Sequence, residues 1–125
     1  MSDIRDLDIL RPKTSIVKLG GEEIDVSFIP CGITFDLSEL LNQIQELSPK
    51  TEAEREAFVN DAAKIKRGFD LSIDICVLFC SRNNPKLNKE FFLSHADTIQ
   101  VRALVEEIKT ALYKSYEAVE KYGKN

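Results

Sequence analysis

The chain has 125 residues, 43% apolar and 30% charged, with three cysteines and a net charge of -4. Those proportions belong to a globular domain able to bury a real core, and they exclude a disordered, collagen-like or disulfide-stapled chain. The negative balance argues against a nucleic-acid binder built on a basic surface. No apolar run approaches the ~18 residues of a membrane span, and Met1-Ser-Asp-Ile-Arg-Asp-Leu-Asp has acids where a signal peptide has bases, so a cytosolic protein is expected.

In chain order, residues 1–13 alternate acids and bases around Ile4, Leu7, Ile9 and Leu10 before Pro12. They read as a flexible lead-in that either docks through its aliphatics or frays. Thr14–Leu19 and Ile24–Ile29 have strand composition, and Gly20-Gly21 between them supplies the positive φ of a tight turn, so a β-hairpin is predicted over 14–29. The glycines do not make a phosphate loop, because the Lys-Ser/Thr of that motif is missing and Glu22 and Glu23 would repel phosphate.

Pro30-Cys31-Gly32 ends the second strand, and Ile33-Thr34-Phe35 adds a short extended piece. Thr34 or Asp36 then caps a helix over about 36–47, whose Leu37, Leu40, Leu41, Ile44 and Leu47 recur at three and four; Ser48-Pro49-Lys50 stops it. Thr51 with Glu54 three residues on makes a capping box, and a long helix is predicted over 52–80.

The second half of that helix, Phe69–Cys80, is the densest apolar block in the chain. With a period of two, Leu71, Ile73, Ile75, Val77 and Phe79 would line one face of a strand. Wound as a helix, the block is apolar nearly all round, with only a stripe through Asp70, Asp74 and Ser81 left polar, as a central helix requires. The preceding residues are already helical in pattern, and Gly68 is a weak breaker at about 1 kcal/mol, so the helix is preferred.

Ser81-Arg82-Asn83-Asn84-Pro85 is a loop signal, followed by a short helix over 88–95 carrying Phe91-Phe92. Asp97 with Gln100 caps a last helix over 98–122, with Val101, Leu104, Val105, Ile108, Leu112, Tyr116 and Val119 as one stripe and Gly123 at the C′ position. Tyr113, Tyr116 and Tyr122 read as packing at its rim. The predicted fold class is α+β: an N-terminal β-hairpin followed by a bundle of three to four helices around a central buried helix, all within one domain over 14–125.

Catalytic chemistry finds little support. Asp70 and Asp74 stand one helical turn apart and could form an acid–base pair; the competing reading is a thin polar stripe paired with Arg67 or Arg82 or facing solvent. His95 is the sole histidine, and no motif presents a nucleophile to it. Cys31, Cys76 and Cys80 read as reduced thiols used as small apolar residues, since the close Cys-x-x-Cys pairs of a zinc site are missing. No catalytic, cofactor or metal residue is assigned. Phe28, Phe35, Phe91 and Phe92 are instead candidates for partner contacts. Adjacent phenylalanines on one helix point about 100° apart, so either one of Phe91 and Phe92 faces a partner or a wedge-like helix buries both.

Acids also cluster. Glu22, Glu23, Asp25, Asp36, Glu39 and Glu46 occur between residues 22 and 46 without one Lys or Arg, a front suited to a basic or polar protein partner.

The order of elements carries a resemblance. A short acidic chain opens with Ile16-Val-Lys-Leu-Gly-Gly-Glu-Glu-Ile-Asp-Val-Ser-Phe, a strand, Gly-Gly turn and strand, and passes into helices closed by the capped helix Asp97–Tyr122. Over about residues 14–122 it resembles the tail assembly chaperones of long-tailed bacteriophages and prophages. The resemblance implies a non-enzymatic protein that binds the tape measure protein and the tail tube subunit in the infected cell's cytoplasm and is missing from the finished virion. It carries no particular site residues across, and no cofactor, nucleic-acid partner or membrane partner is expected. Some members are lengthened by a programmed frameshift, and self-association through the hairpin edge is a further expectation. Two other classes stay open: an acidic adaptor domain, and a small enzyme with an acid–base site at Asp70, Asp74 or His95.

Overall fold

Two strands, β1 (Ile16–Leu19) and β2 (Glu22–Asp25), pair antiparallel with Val17 opposite Ile24 and Leu19 opposite Glu22. The structure, a computed structural model, describes residues 4–123 apart from the side chains of residues 119 and 121–123. Residues 1–3 of the expected lead-in, and the side chains of Val119 and Tyr122, therefore lie outside the described residues. The turn is the one expected. Gly20 and Gly21 have φ of 58° and 83°, the left-handed pair that lets a two-residue loop follow the twist of its strands. Gly20 is doubly constrained, because a Cβ there would stand 2.7 Å from Phe91 Cζ.

The strands are shorter than the predicted 14–29. A last link joins the Val26 N–H to the Ser15 carbonyl, and then the Asp25 carboxylate takes both the backbone N–H and the hydroxyl of Ser27. That local turn draws the chain out of the sheet, although Val26 and Ile29 still reach the core.

The first helix, α1 (Cys31–Leu47), begins five residues before the expected 36, with Pro30 at its N-cap and no side-chain cap bond. Neither Thr34 nor Asp36 caps it. Thr34 lies inside the first turn, and its hydroxyl bonds back to the Pro30 carbonyl at 3.2 Å. Ile33, predicted as extended, packs against the core instead, and burying it outweighs the weak helix preference of Cys31-Gly32.

The predicted helix over 52–80 is two helices, α2 (Glu52–Val59) and α3 (Ala62–Cys80). Asn60 closes the first, and the Asp61 carboxylate accepts the Lys64 N–H to start the second, so the Asn-Asp pair acts as stop and start at once. Thr51 caps α2 by accepting the Glu54 N–H, while Glu54 reaches one residue further back than a standard box, to the Lys50 N–H at 2.7 Å. Phe69–Cys80 is helical throughout. Two more helices complete the order, α4 (Lys89–His95) capped by Asn88, and α5 (Thr98–Gly123) opened by reciprocal bonds between Asp97 and Gln100. The result is the expected α+β arrangement of hairpin and helical bundle, with five α-helices in place of three to four among the described residues.

The core forms where the hairpin, α1, α4 and α5 close on α3. Its largest fully buried side chains include Phe79, Phe92, Leu37, Ile73, Ile75 and Ile108. α2 contributes no buried residue.

Candidate functional site

Helices α1 and α5 both pack on α3. Between them runs a groove of about 670 Å³. Leu41 and Ile44 of α1 and Val105 and Leu112 of α5 give it an apolar base. On one rim stand Asn42, Gln45 and Ser48, and on the other Arg102, Glu106, Lys109 and Tyr113. A hydrogen bond of 3.0 Å between the hydroxyls of Ser38 and Tyr116 closes one end. The periodicity of α1 accounts for this shape: Leu37 turns fully into the core, while Leu41 and Ile44 fall between core and solvent.

The groove carries polar amides on its α1 wall and two cations with one carboxylate on its α5 wall. Among the described residues neither Arg102 nor Lys109 is in an ion pair; Lys109 lies 5.9 Å from the Tyr113 ring centroid. Such a surface can hold an amphipathic segment, with an apolar stripe below and polar groups along the rims.

The four phenylalanines have four different situations. Phe35 is 84% exposed and lies one turn before Ser38 on α1, outside the lining of the groove. Phe92 is only 1% exposed and belongs to the core, so it offers nothing to a partner while the fold is closed. Phe91 is half-buried, stacked edge-on to Phe92, against His95 and under the turn at Gly20. Phe28 is half-buried with the Arg11 guanidinium 4.2 Å above its ring. Of the Phe91–Phe92 alternatives, the wedge describes α4 better: one ring fills the core and the other covers the hairpin turn.

The two carboxylates of the suspected acid–base pair, Asp70 and Asp74, are not buried. Asp70 pairs with Lys66 at 3.2 Å, one turn back on the same helix, and Asp74 is exposed. The expected partners are engaged elsewhere, Arg67 with the Gln43 side chain and Arg82 with the Phe28 carbonyl. Arg82 also lies over the Phe79 ring at 4.8 Å, and its burial lowers its pKa from the ordinary guanidinium value. Cys31 is exposed, whereas burial drives the Cys76 thiol far above its usual pKa and the Cys80 thiol up to about 12. Both buried thiols are thereby held unreactive at neutral pH. Among the described residues, no group of three His, Cys, Asp or Glu side chains is placed to hold a metal.

The acidic front divides. Asp36, Glu39 and Glu46 are exposed on α1, but Glu22 accepts from the Asn84 amide and Asp25 is tied to Ser27. That side-chain bond, with help from Arg11 and Arg82, keeps the Asp25 pKa below the usual carboxylate range against the opposing effect of burial. No described helix is long and apolar enough to cross a membrane.

No family model, curated protein or solved structure matches the chain. The site therefore rests on its own geometry. Sequence reasoning placed Leu41, Ile44, Val105 and Leu112 on apolar stripes without separating groove from core. The half-apolar flank of α1, where leucines neighbour Asn42 and Gln45, was the available signal.

Proposed function

We propose that this chain is a non-enzymatic assembly chaperone of the long-tailed phage type, acting in the host cytoplasm and binding the tape measure protein and the tail tube subunit before the tail is closed. The observation that carries this reading is the α1/α5 groove, apolar at its base and polar at both rims. A tape measure protein displays long apolar helical stripes until the tube encloses it. A groove of this kind covers one such stripe by helix-in-groove packing and keeps the client soluble. Tyr116 supplies an aromatic contact at one end, and Phe35 an exposed one beyond the lining. The net charge of -4 and the exposed acids of α1, which stand beside the groove and not in it, favour a client with basic segments flanking its apolar stripe and oppose aggregation of the loaded chaperone. The hairpin, with only two strands, leaves backbone groups on its outer edges that a tube subunit can pair with.

The test is co-expression with candidate tape measure and tube proteins from the same genome, followed by affinity capture and size exclusion. A soluble complex containing the tape measure protein, weakened at least tenfold by Phe35→Ser together with Tyr113→Glu, is the expected result. Retention of neither tail protein would remove the reading.

A further inference from the structure

The chain carries its own candidate occupant for the groove. Ile4, Leu7, Ile9 and Leu10 are 92%, 61%, 77% and 46% exposed, and the 3-10 turn over Leu7–Leu10 buries nothing. Four aliphatics within seven residues, all facing solvent, form an apolar arm without a surface to lie on. The groove is a surface without a segment to cover it. From Ser38 to Ser48 it follows about 15 Å of helix, the reach of roughly five extended residues. Charges of both signs stand on each side: the arm carries Arg5, Asp6 and Asp8 among its aliphatics, and the groove's α5 rim carries Glu106 between Arg102 and Lys109, the two cations outside any ion pair among the described residues.

The arm is poorly placed for the groove of its own molecule. Its root runs past Pro12 and Lys13 along a shallow cleft beside Glu107, Ala111 and Lys114. On a helix at 100° per residue those positions lie on the opposite side of α5 from Arg102, Glu106 and Lys109. Arg11, stacked over Phe28, fixes the root on that side, so an arm docking at home would have to wrap around α5. We infer that residues 4–10 of one copy dock in the α1/α5 groove of a second copy, and that the client-free protein is an arm-exchanged dimer. Exchange satisfies both arms and both grooves with one twofold axis, and the first docked arm raises the effective concentration of the second. The dimer then shields the groove until a client helix displaces the arm. That last consequence rests on the chaperone reading; the exchange itself does not.

The test uses the full chain without any tail protein. Size exclusion with light scattering is expected to give a dimer that dissociates on dilution. The double variant Leu7→Asp/Ile9→Asp, which alters only exposed side chains, is expected to be a folded monomer, and Lys109→Glu to shift dissociation to at least tenfold higher concentration. On a Cys31→Ser background, Leu7→Cys and Lys109→Cys chains of different mass are then mixed and oxidised. A disulfide between the two chains is expected. Three outcomes each overturn the exchange: a monomeric parent chain, a dimer indifferent to the arm variants, or, in a chain carrying both cysteine substitutions, a disulfide that closes only within that chain. A monomer that still solubilises the tape measure protein leaves the function standing, and a dimer that binds no tail protein leaves the exchange standing.

Discussion

Helix α2 and the second half of α3 lie in one stretch that the sequence presents as a single helix, yet different forces hold them. From Leu71 to Cys80, α3 buries Leu71, Ile73, Ile75, Cys76, Phe79 and Cys80, and the hairpin, α1, α4 and α5 are arranged around it. Its conformation follows from what surrounds it. α2 has eight residues and buries none. A free helix of that length is marginal in water, so α2 depends on Thr51, Glu54 and Asn60 at its ends. The lesson is that similar helical patterning conceals opposite dependences: one helix fails if its packing is damaged, the other if its caps are.

The strongest way to break this contrast is Phe79→Ala. Removing a ring that is 1% exposed should cost about 3–5 kcal/mol in urea unfolding, lowering the midpoint without altering two-state behaviour. A loss below about 1 kcal/mol would mean that α3 is not the packing centre. The hairpin is an intermediate case, packed on one face and tied by the Asp25–Ser27 bond at its exit. Asp25→Ala should cost about 1 kcal/mol at pH 7. Because the native carboxylate titrates below its ordinary value of 3.8, the wild-type advantage is complete above that value and disappears as pH falls through the lower native one. Parallel melting of the two proteins between pH 7 and pH 2 checks the sign, and a difference that grows on acidification contradicts it.

Thr51→Ala removes one cap bond and should cost α2 about 1 kcal/mol locally. Hydrogen exchange should show faster opening of residues 52–59 with the global midpoint almost unchanged; equal slowing or speeding across α3 would show that the two helices open together. The smallest effect is at Gly68, where α3 passes from its exposed to its buried half. A Cβ there meets nothing within 4 Å, so Gly68→Ala should stabilise by about 0.5–1 kcal/mol through a less disordered unfolded chain.

The parts of the fold readable in the sequence are those where local chemistry and tertiary packing agree. Gly20-Gly21 demands its turn, Asp97 and Gln100 cap one another, and a block apolar nearly all round favours a central helix over a half-buried strand. Where local preference is weak, packing moved the boundaries. Cys31-Gly32-Ile33 has little tendency to begin a helix, but Ile33 packs against the core and α1 starts early. The break at Asn60-Asp61 is written in the sequence as a cap-forming dipeptide, but apolar spacing on either side masks it. The groove is a different matter. Its walls come from residues more than fifty positions apart, and its volume depends on the spacing of α1 and α5, both packed on α3.

Composition, turn glycines, caps and periodicity thus determined the class of this protein, its hairpin and its central helix, because each acts within a few residues along the chain. Tertiary structure decided which of two adjacent phenylalanines enters the core and which covers Gly20, that Asp70 pairs with Lys66, and that two apolar flanks stand apart as a groove. Those outcomes depend on distances between elements, and such distances are set only when all the elements compete for the same buried space.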